Sequence, residues 1–265
     1  GGPGSGCKPY HRSFFDPSRY QIILMDQRGS GRSLPSGYCL ENTTSDLIGD
    51  LESIRTALGV DAWVLFGGSW GATLALLYAE SYPERVLGLI LRGIFLGRKT
   101  DLDWFAGPWG VRKIYPESWN LLLSDLPEED HDHPIPKLHQ MLMGQDELAQ
   151  RRAARAWEIW GGQVVLGDLF DPSRLDLHVS NVSVYQARIE LHYAVHNYFI
   201  EENQILSHIH QIPKVPIRIT HGRRDLVCPL EAAWTLHQAL AGSTLEILPN
   251  GGHIASTDDM VDALV

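Results

Sequence analysis

An α/β class fold, with a mostly parallel sheet and an inserted helical cap, is predicted by three observations on the sequence. Short apolar runs rich in β-branched residues alternate with helical runs near both ends of the chain, the pattern of a parallel sheet covered by helices. A serine between glycines, Gly67-Gly68-Ser69-Trp70-Gly71, stands where one such run, Trp63-Val64-Leu65-Phe66, turns into an Ala/Leu-rich helix. From residue 97 to residue 211 strand signals stop, and a helical pattern carrying Trp104, Trp109, Trp119, Trp157 and Trp160 takes their place. The division expected is a discontinuous core, residues 1–96 and 212–265, interrupted by a cap over residues 97–211.

The chain opens on Gly1-Gly2-Pro3-Gly4-Ser5-Gly6, a loop that normally needs something before it. Its glycines let backbone N–H groups converge on an anion; taken alone, it reads equally as a flexible tail. The next apolar run, Tyr20-Gln21-Ile22-Ile23-Leu24-Met25, reads as a buried strand ending in the turn Asp26-Gln27-Arg28-Gly29. Residues 45–58 repeat Leu47, Ile48, Leu51, Ile54 and Leu58 at helical spacing and stop at Gly59. The strand of residues 63–66 and the helix of residues 72–80 flank Ser69, and a further strand covers residues 86–91. After the cap, strand signals return at residues 215–220, a helix at 230–240 and a last strand at 245–249.

Composition narrows the function classes. With 265 residues and 44% hydrophobic content the chain buries a substantial core. A formal net charge of -10, with no basic run, excludes nucleic acid as the expected partner and favours a small or cationic substrate. Cys7, Cys39 and Cys228 are odd in number and widely spaced, which points to a reducing, cytoplasmic compartment and to no zinc site. No apolar run approaches the roughly 18 residues that span a bilayer, so no membrane partner is expected. His131 and His133 fall in a charged, proline-rich loop, and these two, like His208 and His210, read as surface residues rather than metal ligands.

The glycine-flanked Ser69 matches a nucleophile elbow, in which a sharp strand-to-helix turn presents a hydroxyl beside the positive end of a helix. Two further residues follow strands in the order such a site requires. Asp225 comes after the strand of residues 215–220 and His253 after that of residues 245–249. His253 would take the Ser69 proton and return it to the leaving group, while Asp225 fixes the imidazole tautomer. The backbone N–H of Trp70 and one from the Gly1-Gly2 loop would receive the oxyanion.

Gly1-Gly2-Pro3-Gly4, Asp26-Gln27-Arg28-Gly29-Ser30-Gly31-Arg32-Ser33, Glu41-Asn42-Thr43-Thr44, Gly67-Gly68-Ser69-Trp70-Gly71 and Leu91-Arg92-Gly93-Ile94-Phe95, taken together and in this order, resemble the proline iminopeptidases of the α/β-hydrolase fold. The resemblance covers nearly the whole chain. It implies a serine exopeptidase that releases N-terminal proline from small peptides without metal or organic cofactor. Ser69, Asp225 and His253 are then the catalytic triad, and the N–H groups of Gly2 and Trp70 form the oxyanion hole. In Ala187-Arg188-Ile189-Glu190-Leu191-His192-Tyr193 the resemblance makes Glu190 an acid that holds the substrate's α-amino group.

Two departures from the family pattern stand out. Where the family commonly reads Trp-x-x-Trp-Glu, this chain has Trp157-Glu158-Ile159-Trp160-Gly161, and Glu158, about one turn earlier, is the residue placed to substitute in binding the amine. The family also has an N-terminal hairpin and a further strand before the Gly-Gly-Pro-Gly loop, so the expected sheet lacks its N-terminal strands here. The alternatives are a related serine amidase or esterase of altered specificity, or an inactive truncated homologue.

Overall fold

The computed structural model describes residues 1–176 and 179–265. A four-stranded, all-parallel sheet in the order β1-β2-β3-β4 carries the molecule: β1 (Trp63–Ser69), β2 (Val86–Ile94), β3 (Ile217–Gly222) and β4 (Thr244–Leu248). Each strand is a short apolar run flanked by turn residues, and parallel pairing leaves all four carboxyl ends at one edge. β2 and β3 are neighbours although more than 120 residues separate them, which brings the two parts of the core together.

α1 (Thr44–Ala57) starts at Thr43, whose hydroxyl accepts the Asp46 N–H while the Asp46 carboxylate accepts the Thr43 N–H. This reciprocal pair satisfies two N–H groups that a helix start leaves open. α2 (Trp70–Ser81) follows β1 without an intervening residue and is apolar nearly all round, so Ala72 to Ala79 are buried between the sheet and its neighbours. α9 (Leu230–Ala239) covers the same face through Ala232, Ala233 and Leu236. The opposite face carries Phe66, Ile90 and Leu248, packed against Phe14 and the last helix, α10 (Asp258–Leu264).

Between β2 and β3 the described residues form helices and no strand: α3 (Lys99–Ala106), α4 (Pro116–Leu123), α5 (Pro134–Met143), α6 (Glu147–Leu166), α7 (Asn181–Val195) and α8 (Gln204–Ser207). Their tryptophans build a second apolar cluster, in which Trp119, Trp157 and Trp160 are buried with Leu122, Leu138 and Leu191. The indole of Trp160 donates to the Phe105 carbonyl at 3.1 Å and meets Trp119 edge to face. Ile205 and Ile212, at the end of this helical stretch, pack instead into the cluster beside the sheet.

Residues 20–25, expected as a buried strand, are irregular and at most partly buried. An apolar run becomes a strand only when a neighbour completes its ladder, and among the described residues the edge strand β1 pairs with β2 alone. Among the described residues no helix is long and apolar enough to cross a membrane.

Candidate active site

Ser69 sits at the junction of β1 and α2 with φ 56° and ψ -128°, a conformation a serine adopts only when its surroundings impose it. The flanking glycines show why. A Cβ at Gly67 would lie 2.2 Å from the Gly71 carbonyl oxygen, and one at Gly71 would lie 2.6 Å from the Gly1 nitrogen. The turn is therefore closed around the serine, and the open N–H groups at the start of α2 lie beside its hydroxyl.

Asp225 follows β3 and is buried; His253 follows β4. The imidazole Nδ1–H donates to Asp225 Oδ2 at 2.8 Å, while Oδ1 accepts the N–H groups of Val227 and Cys228, each at 2.9 Å. Burial pushes the Asp225 carboxyl up, but His253, His221 and the Cys228 N–H outweigh it and hold the group below its ordinary value. The carboxylate is thus ionised with both oxygens committed. Asp225, Cys228 and His253 bring three potential metal-ligand atoms within 4.8 Å of one another, and three hydrogen bonds already engage the two carboxylate oxygens.

Ser69, Trp70, Gly2, His253, Glu190, Glu158 and Gly161 all face one cavity of about 590 Å³ between the strand ends and the helices above them. That volume suits a ligand larger than a single residue. Among the described residues no hydrogen bond joins Ser69 Oγ to His253; the neighbour of Oγ is Cys228 Sγ at 3.9 Å. Such bonds are commonly loose without substrate and tighten in the complex. Burial and the Asp225 charge keep the Cys228 thiol well above its ordinary pKa, so it stays protonated and is the poorer nucleophile.

Glu190 lies on α7, with Oε2 accepting from the Trp157 indole at 2.7 Å and Oε1 from the Gln186 amide at 2.8 Å. Burial raises its pKa above the ordinary carboxylate value, against these two hydrogen bonds, and nearby Glu158 adds to the rise. Glu158 reaches the cavity from α6 but is shared with Arg155, 3.9 Å away, and with the Ser183 hydroxyl at 3.5 Å. A Cβ at Gly161 would meet nothing within 4 Å, so this wall of the cavity is open. His131 bonds the Leu126 carbonyl and His133 is exposed, both outside this cavity.

Three neighbours of the site were not singled out from the sequence. Arg92, on β2, donates from Nη1 to the His253 carbonyl at 2.7 Å. His221, at the end of β3, is fully buried; its Nδ1 accepts the Ile94 N–H at 3.1 Å and its Nε2–H donates to the Cys228 carbonyl at 2.8 Å. Cys228 itself completes the group. The first two act across 161 and 127 residues, and only the strand-end position of His221 was visible as a signal.

A parallel sheet with a strained serine at a strand-to-helix turn, and with an acid and a histidine after later strands, defines an α/β hydrolase. A family model described as the alpha/beta hydrolase fold matches residues 1–259, and the chain belongs to that fold family. Solved structures agree on the fold: an alpha/beta fold family hydrolase from Bacillus anthracis has a TM-score of 0.59 at 18% identity, covering 97% of this chain and 85% of its own. The esterase RhEst1 from Rhodococcus has a TM-score of 0.58 at 16% identity, covering 92% and 78%. Within the fold the chain belongs to the proline iminopeptidase family and is a hydrolase. It is similar to the proline iminopeptidases of Xanthomonas citri (43% identical over 266 residues, 100% of this chain and 85% of the relative) and Xylella fastidiosa (42% over 269 residues, 100% and 85%). The Arabidopsis thaliana proline iminopeptidase is 39% identical, covering 100% and 70%.

Proposed function

We propose that this enzyme releases N-terminal proline from small peptides by acyl transfer through Ser69, beneath a cap formed by the helices of residues 97–211. The observation that carries the reading is a single cavity lined by the elbow serine, the Asp225-bonded imidazole and the carboxylate of Glu190. His253 accepts the Ser69 proton as the hydroxyl attacks the proline carbonyl, and the N–H groups of Trp70 and Gly2 receive the developing oxyanion. The protonated imidazole then gives its proton to the departing amine, and water, activated the same way, releases proline and regenerates the serine. Glu190 anchors the substrate's ammonium group, which makes the reaction an exopeptidase one. No cofactor enters this scheme, and the three free thiols suit a cytoplasmic setting.

Chromogenic amides of proline, of alanine and of acyl-blocked proline test the reading. The free prolyl amide is expected to be cleaved in strong preference to the blocked one; equal use of both would favour an amidase or esterase, and use of none an inactive homologue. Glu190→Gln is expected to lower kcat/KM for the free amine by about 10- to 100-fold, the value of a charge-assisted hydrogen bond, while hydrolysis of simple esters changes little. Equal losses on both would mean that Glu190 only supports the cap. The pH dependence has a defined sign. The raised pKa means Glu190 takes up a proton at a higher pH than an ordinary carboxylate, so preference for the free amine falls early as the solution is acidified. The same titration is absent from Glu190→Gln.

Gly161→Glu is expected to raise kcat/KM for free-amine substrates by about 10- to 100-fold, because the new carboxylate enters open space beside the amine site. Repulsion between it and Glu190 offsets part of that gain. The check is the ratio of free to blocked substrate. Should Gly161→Glu leave the ratio unchanged while Glu158→Ala destroys it, the amine is held by Glu158 instead.

A further inference from the structure

One side chain, Gln27, joins the Trp70 side chain to the Gly1–Gly2 peptide, the two places from which the oxyanion donors come. Its Oε1 accepts the Trp70 indole N–H at 3.0 Å, and its Nε2–H donates to the Gly1 carbonyl at 2.9 Å. The Gly1 carbonyl and the Gly2 N–H belong to the same planar peptide unit and point in opposite directions. Fixing one fixes the other, and a hydrogen bond to the carbonyl also polarises the N–H at the far end of the unit. Gly2 has a φ of 99°, a region in which glycine moves freely, so the direction of its N–H is not set by the backbone alone. A Cβ at Gly2 would lie 3.3 Å from both Gln27 and the Trp70 ring, which shows how closely the loop is seated on this pair.

We propose that Gln27 is a positioning residue for catalysis: it clamps the Gly1–Gly2 peptide to Trp70, so that the Gly2 N–H points at the oxyanion. The role rests on the reading of Ser69 as nucleophile and concerns the transition state. A misdirected Gly2 N–H still admits substrate, because Glu190 and the cavity walls bind the ground state. The glutamine is required in both halves, since it must accept at one end and donate at the other.

Gln27→Met keeps the length and removes both bonds. Its kcat on a prolyl p-nitroanilide is expected to fall about 10- to 100-fold with KM within about threefold, below the 10²–10³ cost of removing an oxyanion donor outright because the peptide still samples the productive direction. Fluorophosphonate labelling of Ser69, which passes through a similar oxyanion without requiring a prolyl group, is expected to slow in parallel. Gln27→Glu supplies a second reading that loss of folding cannot imitate. Its carboxylate still accepts from Trp70 but repels the Gly1 carbonyl, whereas its protonated form donates as the amide does. The ratio of its kcat to that of the wild type is therefore expected to rise toward one as pH falls. An unchanged kcat in Gln27→Met, a loss confined to KM, or a pH-independent ratio for Gln27→Glu would overturn the role. If prolyl amides are not cleaved at all, labelling of Ser69 still decides the question, so the two failures remain distinct.

Discussion

Ser69→Ala is expected to lower kcat on prolyl amides by about 10⁶-fold, the loss that follows removal of the nucleophile of a serine triad. The substitution takes away a single oxygen. Alanine and serine share the same Cβ, so the strained turn at φ 56° is neither relieved nor worsened, and the melting temperature is expected to stay within a few degrees. A fluorophosphonate is expected to label the wild type at Ser69 alone and to leave the variant unlabelled. The neighbouring Cys228 does not take over, because burial and the Asp225 charge keep its thiol protonated. Turnover retained at more than a hundredth of the wild-type rate, or labelling at another serine, would remove Ser69 from the mechanism.

The candidate residues that stand out in the sequence are those placed at a local turn. Ser69, Asp225 and His253 each follow an apolar run and sit among glycines, so strand end and chemistry could be read together. The four strands β1 to β4 were legible for the same reason, and each extends only a few residues from its expected limits. Residues 20–25 have the same apolar character and form no strand. Periodicity reports which side chains favour burial, whereas a strand also requires a neighbour to pair with its N–H and C=O groups. Glu190 is a candidate through the family resemblance alone, since a carboxylate on a helix carries no local mark of a binding role. Gln27 and Arg92 carry no such mark either, and His221 carries only its place at a strand end. Gln27 reaches Gly1 across 26 residues, Arg92 reaches His253 across 161 and His221 reaches Ile94 across 127, and what defines them is the meeting of strand ends and loops in three dimensions. Free-amine recognition divides similarly. The missing acid at Gly161 was visible as a motif departure, but only the structure places Glu158 between Arg155 and Ser183, where its charge is already shared.

Asp225→Asn is expected to lower kcat by about 10⁴-fold while leaving the protein folded, and the hydrogen bonds around the carboxylate explain why so small a change costs so much. Oδ1 accepts from the N–H groups of Val227 and Cys228, both at 2.9 Å. An asparagine must therefore turn its carbonyl oxygen toward those two donors and its NH₂ toward His253. Facing a donor, the imidazole has to present Nδ1 as an acceptor and carry its proton on Nε2, the nitrogen that should receive the proton of Ser69. The base is present in place but in the wrong tautomer, and the imidazolium that forms during attack has no anion beside it. The comparison with Asp225→Ala separates this from loss of support. Alanine leaves the part-buried Val227 N–H and the buried Cys228 N–H without this acceptor, at about 1–3 kcal/mol of stability, whereas asparagine keeps them satisfied. Nitrogen NMR of the histidine ring should show Nδ1–H in the wild type and Nε2–H in Asp225→Asn. A loss of less than tenfold in kcat, or an unchanged tautomer, would mean that Asp225 holds the loop after β3 and that another group orients His253.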